Sequence, residues 1–112
     1  MIEKIIYDYL NSLQGVTVYT EMPKSFPGNC YLIEKIGDRR ENHINHATIA
    51  IKSYGDTLYD AMALNDAVKD IMLNDLISLD IVAGIKLNSD YNFTDTTTKR
   101  YRYQAVFVVT YY

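Results

Sequence analysis

Residues 85–112 read IKLNSDYNFTDTTTKRYRYQAVFVVTYY. Two alternating runs are joined by a polar stretch, and this pairing decides the fold class. In the second run Tyr101, Tyr103, Ala105, Phe107, Val109 and Tyr111 fall on one side. Arg102, Gln104, Val106, Val108, Thr110 and Tyr112 fall on the other, a face that begins polar and ends apolar. Period-two alternation of β-branched and aromatic residues is the signature of a strand with two different faces. The first run, Ile85 to Phe93, places Ile85, Leu87, Tyr91 and Phe93 on one face and Lys86, Asn88, Asp90 and Asn92 on the other. Residues 94–100 are polar and predict a loop between the two strands.

Upstream, Gly55-Asp56-Thr57 starts a predicted helix that runs to Leu76. Thr57 and Asp60 have the spacing of a capping pair, and an acid in the first turn suits the helix dipole. Leu58, Ala61, Met62, Val68, Ile71, Met72 and Leu76 supply an apolar stripe, widened by Leu64 and Leu73. About twenty residues from Thr57 to Leu76 would span roughly 30 Å. The alanines at 61, 63 and 67 allow close approach to a sheet.

Nearer the N-terminus, Ile2, Ile5, Ile6, Tyr9, Leu10 and Leu13 recur at helical spacing, with Gly15 as the stop. Residues 16–20 predict a short strand. Two prolines and a Pro-Gly pair make residues 22–29 a loop. Strands are expected at 31–36, where Leu32 and Ile36 share a face opposite Ile33, and at 46–54. The polar residues 37–45, GDRRENHIN, are expected to form an exposed hairpin loop between them. The expected order is α-β-β-β-α-β-β: one α+β domain over residues 1–112, with a mainly antiparallel sheet packed by two helices.

Composition agrees with such a domain. Of 112 residues, 48% are hydrophobic and 22% charged, within the globular range. Eleven tyrosines and no tryptophan favour strands and half-wet surfaces. The formal net charge of −3 argues against general affinity for nucleic acid or an anionic membrane. No run approaches the apolar length of a membrane span. The first residues, MIEKIIYDYLNSL, carry an early acid and lack the apolar run of a signal peptide. Cys30 is the single cysteine, which fits a reducing compartment.

The residues offer little catalytic chemistry. His43 and His46 lack the further ligands that a metal needs. Cys30 has no base that the sequence places beside it, and reads as a small buried residue. Asp56, Asp60, Asp66, Asp70 and Asp75 spread around the solvent side of their helix. The glycines form no phosphate loop. The expectation is a non-enzyme with no cofactor and no metal. The basic residues Arg39 and Arg40, and Lys99, Arg100 and Arg102, sit at strand ends. They are the candidates for a surface that faces a partner or lines a channel. Cations beside aromatics also suit a small nucleic-acid-binding module. Charged loop tips that keep a sheet soluble are the plainer reading.

The stretches PGNCYLIEKIG, SYGDTLYDAMALNDAVKDIML and NSDYNFTDTTTKRYRYQAVFVVTYY resemble small structural proteins of long-tailed phages and prophages of Gram-positive bacteria, above all the tail terminators (tail-completion proteins) of the head–tail joining cluster. The resemblance runs from about Pro27 to Tyr112, and rests on element order, length and the Asn-Phe-Thr-Asp…Lys-Arg-Tyr-Arg-Tyr run. It implies a virion protein, assembled in the bacterial cytoplasm, that forms a hexameric ring of identical subunits. Such a ring caps the tail tube, contacts the tail-tube protein and the head connector or stopper, and passes DNA through its channel. It implies no cofactor and no catalytic residue. Other head–tail connectors and minor capsid components of the same cluster are of similar size and form the alternative.

Overall fold

The computed structural model describes every residue except Met1, Gln14, Phe26, Thr96 and Lys99. Its elements follow the expected order: α1 (Ile2–Ser12), β1 (Thr17–Tyr19), β2 (Cys30–Glu41), β3 (Ile44–Gly55), α2 (Leu58–Asp70), β4 (Val82–Asn92) and β5 (Tyr101–Tyr111). The five strands form one sheet in the order β1-β2-β3-β5-β4. β1 pairs parallel with β2, and every other pairing is antiparallel. The molecule is α+β.

Both helices pack on the same side of the sheet. α1 lies against β1 and β2, and α2 against β3 and β5. Ile2, Ile6 and Leu10 of α1 and Val68 of α2 join Ile33, Ile49, Ile51, Ala105, Phe107 and Val109 in one core. The last strand therefore faces as its alternation requires. Phe107 and Ile49 sit opposite each other at the centre, both fully buried. At about 25 cal/mol per Å² of apolar surface, this shared core is the main source of stability.

The junction of β3 and α2 is tight. Thr57 is extended and its side chain accepts from the backbone N–H of Asp60, the bond that the capping pattern predicts. Gly55 lies against the first turn of α2. A Cβ there would stand 2.8 Å from the Thr57 carbonyl oxygen and 2.9 Å from the Asp60 carbonyl carbon, inside van der Waals contact with backbone. After Asp70 the chain stays helical as a π turn, Ile71–Asp75, and a 3₁₀ turn, Leu76–Ser78. An α-helix advances about 100° per residue, so a four-residue repeat drifts round its surface. The wider π turn offsets that drift and keeps Val68, Met72 and Leu76 all fully buried.

Two expectations are corrected. Residues 37–45 are not a loop: β2 runs to Glu41 and β3 begins at Ile44. The turn is Asn42-His43 alone, both left-handed at φ 52° and 66°. That is the geometry of a two-residue hairpin whose twist matches its strands. Polar residues flank it because both faces of this hairpin end are wet. A bulge between Lys35 and Gly37 also sets Ile36 outside the regular pairing, 53% exposed.

The second correction concerns β4. Ile85 pairs with Val109 and Leu87 with Phe107, on the core side. A bulge between Leu87 and Ser89 then shifts the register, so that Asp90 pairs with Ala105 and Tyr91 with Gln104. One extra residue reverses the faces of everything after it. Asp90 turns toward the helices. Tyr91 and Phe93, expected with the core residues, lie on the other side, 41% and 39% exposed.

Candidate interaction surface

With both helices on one side, the opposite side of the sheet carries no helix among the described residues. Register defines its residues, because directly paired residues share a face. Leu32 pairs with Lys52, Lys52 with Gln104, and Gln104 with Tyr91. One row along are Glu34, Ala50, Val106 and Ser89. Ala50 and Val106 are buried.

At the β4–β5 end this face holds a cation–aromatic cluster. The Arg102 guanidinium carbon lies 4.4 Å from the Phe93 ring centre and 5.9 Å from that of Tyr54. Its Nε donates to the Phe93 carbonyl oxygen at 2.6 Å and its Nη1 to the Tyr54 hydroxyl at 3.3 Å. Lys52 Nζ is 5.9 Å from the Phe93 centre. Tyr91 and Phe93 meet edge to face at 5.6 Å, and Gln104 Nε2 donates to the Tyr91 hydroxyl at 2.6 Å. Such contacts contribute about 0.5–1 kcal/mol each where partly exposed. Arg102 is therefore half-buried and fixed by its neighbours, with its planar fork suited to both stacking and donation.

The other candidate cations are placed apart from it. Arg39 and Arg40 lie at the far end of β2, exposed. Arg39 pairs with His46, and His46 with Thr110. Thr110 is eight residues along β5 from Arg102, roughly 26 Å at 3.3 Å per residue. The fold thus holds Arg39 and Arg40 at one end of the sheet and Arg102 at the other, and joins them in no continuous basic groove. Arg100 bridges to Asp95 across the base of the β4–β5 turn, where Asp95 N–H donates to the Arg100 carbonyl at 3.2 Å. Asp95 also accepts from the Thr97 N–H at 2.9 Å, and such backbone donors hold its carboxyl below the usual range. Lys99 lies outside the described residues.

Cys30 and the histidines take structural places. Cys30 is fully buried, and burial pushes its thiol up to about 11. A thiolate is the nucleophile, so this side chain is inert near neutrality. His43 is a turn residue. His46 Nδ1 lies 3.1 Å from Thr110 Oγ1. Among the described residues no three His, Cys, Asp or Glu side chains gather as metal ligands.

No protein-family model matches this chain, and no curated protein matches it.

Lys52, Tyr54, Tyr91, Phe93 and Gln104 were not among the residues that the sequence singles out. Lys52 and Tyr54 sit in an alternating strand whose wet face looks ordinary. Tyr91 and Phe93 were hidden by the bulge. The signal that could find them is the polar run Asn88-Ser89-Asp90 inside an otherwise alternating strand, where a bulge is least disruptive.

Proposed function

We propose that this protein is a ring-forming structural subunit of a phage neck or tail: a tail terminator that caps the tail tube and joins it to the head. The observation that carries the reading is the one-sided sheet. Its helix layer and its helix-free face are different surfaces, and a closed head-to-tail ring needs two different patches per subunit. Amphipathic aromatics such as Tyr91 and Phe93 suit a surface that is wet before assembly and covered after it. The α+β order, shared with the resemblance in the sequence, supports the same reading.

In this role the protein is no enzyme and takes no cofactor. Its partners are its own copies, the tail-tube protein and the head connector, with DNA in transit through the channel. It belongs to the virion and assembles in the bacterial cytoplasm. Arg39, Arg40, Lys99 and Arg100 serve the channel or the partner surface as charges repeated around the ring. Arg102 holds the cluster together.

Joining of phage halves in vitro tests this. Tails assembled without the protein should join DNA-filled heads only when it is added back. Equal joining with and without it contradicts the reading. Lys99→Ser with Arg100→Ser should lower the yield of joined particles without unfolding the protein.

A further inference from the structure

We infer that the helix-free sheet face of one copy is the seat for the outward face of α2 in the next copy. The inference rests on the ring reading and names the contact that would build the ring.

Charge is the first argument. The chain is acidic overall, at −3, yet its charges are sorted by layer. Lys52, Lys86 and Arg102 lie on the helix-free face, as their pairing with Gln104, Val108 and Tyr54 requires. Arg39 adds a fourth cation toward the hairpin end, against Glu34 and Glu41. The helical stretch after β3 carries Asp66, Asp70 and Asp75 on its exposed side. Its one lysine, Lys69, reaches inward to Asp90 and lies 3.3 Å from Asp66, which leaves Asp70 and Asp75 as the acids with no lysine on the helix beside them. One face of this molecule is thus the electrostatic complement of the other. Such complementarity fixes register and rejects self-matched faces.

Apolar matching is the second. Between the acids, the same helical side exposes Tyr59, Met62, Leu73 and Ile77, Tyr59 by 76%. The sheet face presents the half-buried Leu32 and Val108 on its middle strands, above the buried Ala50 and Val106. An aliphatic floor with a cationic border accepts a helix with an apolar stripe and an acidic border. It offers nucleic acid less: the middle strands give bases no ring to stack on, Tyr91 lies on the edge strand, and Phe93 already has Arg102 against it.

Size is the third. Strands of 11 or 12 residues give a face roughly 38 Å long, and four strands at 4.8 Å make it roughly 19 Å wide. The product is on the order of 700 Å², close to the share of one partner in a standard stable interface. The helical stretch from Tyr59 to Ile77, roughly 27 Å at 1.5 Å per residue, fits along that length. Because the two patches differ, each copy binds one neighbour through its sheet and another through its helix.

Charge reversal tests the pairing. In the first variant Lys52→Glu and Lys86→Glu make the sheet face acidic. In the second Asp66→Lys and Asp70→Lys make the helix face basic. Each variant alone should run at the monomer mass in native mass spectrometry, since it opposes like charges. Their equimolar mixture should regain the wild-type assembly, with the two variants alternating, and the fourfold variant should assemble by itself. Regained assembly also shows that both variants fold. If the wild type is oligomeric and both variants assemble as it does, the ring reading stands and this contact is overturned. If each variant is monomeric and neither the mixture nor the fourfold variant assembles, the sheet–helix pairing is overturned. If the wild type is a monomer, the ring reading fails and this inference with it. A monomer that retards single-stranded oligothymidylate, and loses that with Lys52→Glu and Lys86→Glu, assigns the face to nucleic acid instead.

Discussion

Asn65 on α2 and Asp90 on β4 are joined by a 2.7 Å hydrogen bond from Nδ2 to Oδ1. Lys69 donates to the second oxygen of the same carboxylate at 2.5 Å. Asn65 is almost completely buried, so this is a polar anchor inside an apolar contact. The bulge after Leu87 makes it by turning Asp90 to the helix side. Asp90→Ala should destabilise by about 1–3 kcal/mol, because it strands a buried amide and leaves Lys69 only its more distant carboxylate partner, Asp66. Urea unfolding measures this. A loss below about 0.5 kcal/mol, the range of neutral surface changes, would mean that the anchor carries no weight.

Phe107→Ala should be costlier. Phe107 is the largest fully buried side chain among the described residues and pairs with Ile49 and Leu87 on either side. Its removal should cost on the order of 3–5 kcal/mol. Val108→Ala, one residue along and half-exposed, should cost clearly less. Equal losses in the two variants would contradict the facing of β5.

Gly55→Ala tests the β3–α2 junction. The new methyl would meet backbone atoms of Thr57 and Asp60, which cannot rotate away. Overpacking of this kind costs typically 1–3 kcal/mol. The thermal midpoint should fall, whereas Gly84→Ala, where a Cβ meets nothing within 4 Å, should leave it nearly unchanged.

Stability should decline at alkaline pH. Burial pushes the Cys30 thiol from 9.0 to about 11, and the Tyr31 phenol from 10.0 to about 12. Both acids are raised on folding, so the unfolded chain releases its protons first. The contribution is whole below pH 9 and is lost as pH rises, from 9 to about 11 for Cys30 and from 10 to about 12 for Tyr31. The thiol part amounts to at most about 2–3 kcal/mol. Urea midpoints taken through this range should fall, and Cys30→Ala should remove the first part of the fall. A flat profile for the wild type would show that Cys30 is solvated.

What the sequence made legible follows from regularity. β5 alternates without interruption, so its core face could be read directly. The helix carries a cap and a stripe: the cap formed and Ala61, Val68, Met72 and Leu76 are buried, whereas Leu58, Met62 and Leu73, expected in the same stripe, are exposed because the stripe was drawn wider than the face that meets the sheet. The hairpin at Asn42-His43 escaped because its tight turn depends on two left-handed residues, and its flanking residues are as polar as a loop. The bulges at 36 and 88 escaped because alternation carries no record of an inserted residue. Each bulge changes which side chains meet solvent. Ile36 was thereby set out of the pairing, Asp90 was turned to the helix side, and Tyr91 and Phe93 were brought to the other face. The candidate surface needed register, and register is a property of paired strands. The cations could be named in advance, but their separation to opposite ends of the sheet could not.

The central claim is that copies of this chain assemble head to tail into a closed ring. Native mass spectrometry of the purified wild-type protein at low salt tests it most directly. The account predicts a single dominant species with the mass of six chains of 12.9 kDa, dissociating as salt screens the charged faces. A monomer at every concentration and salt, with no species beyond 12.9 kDa, would contradict it.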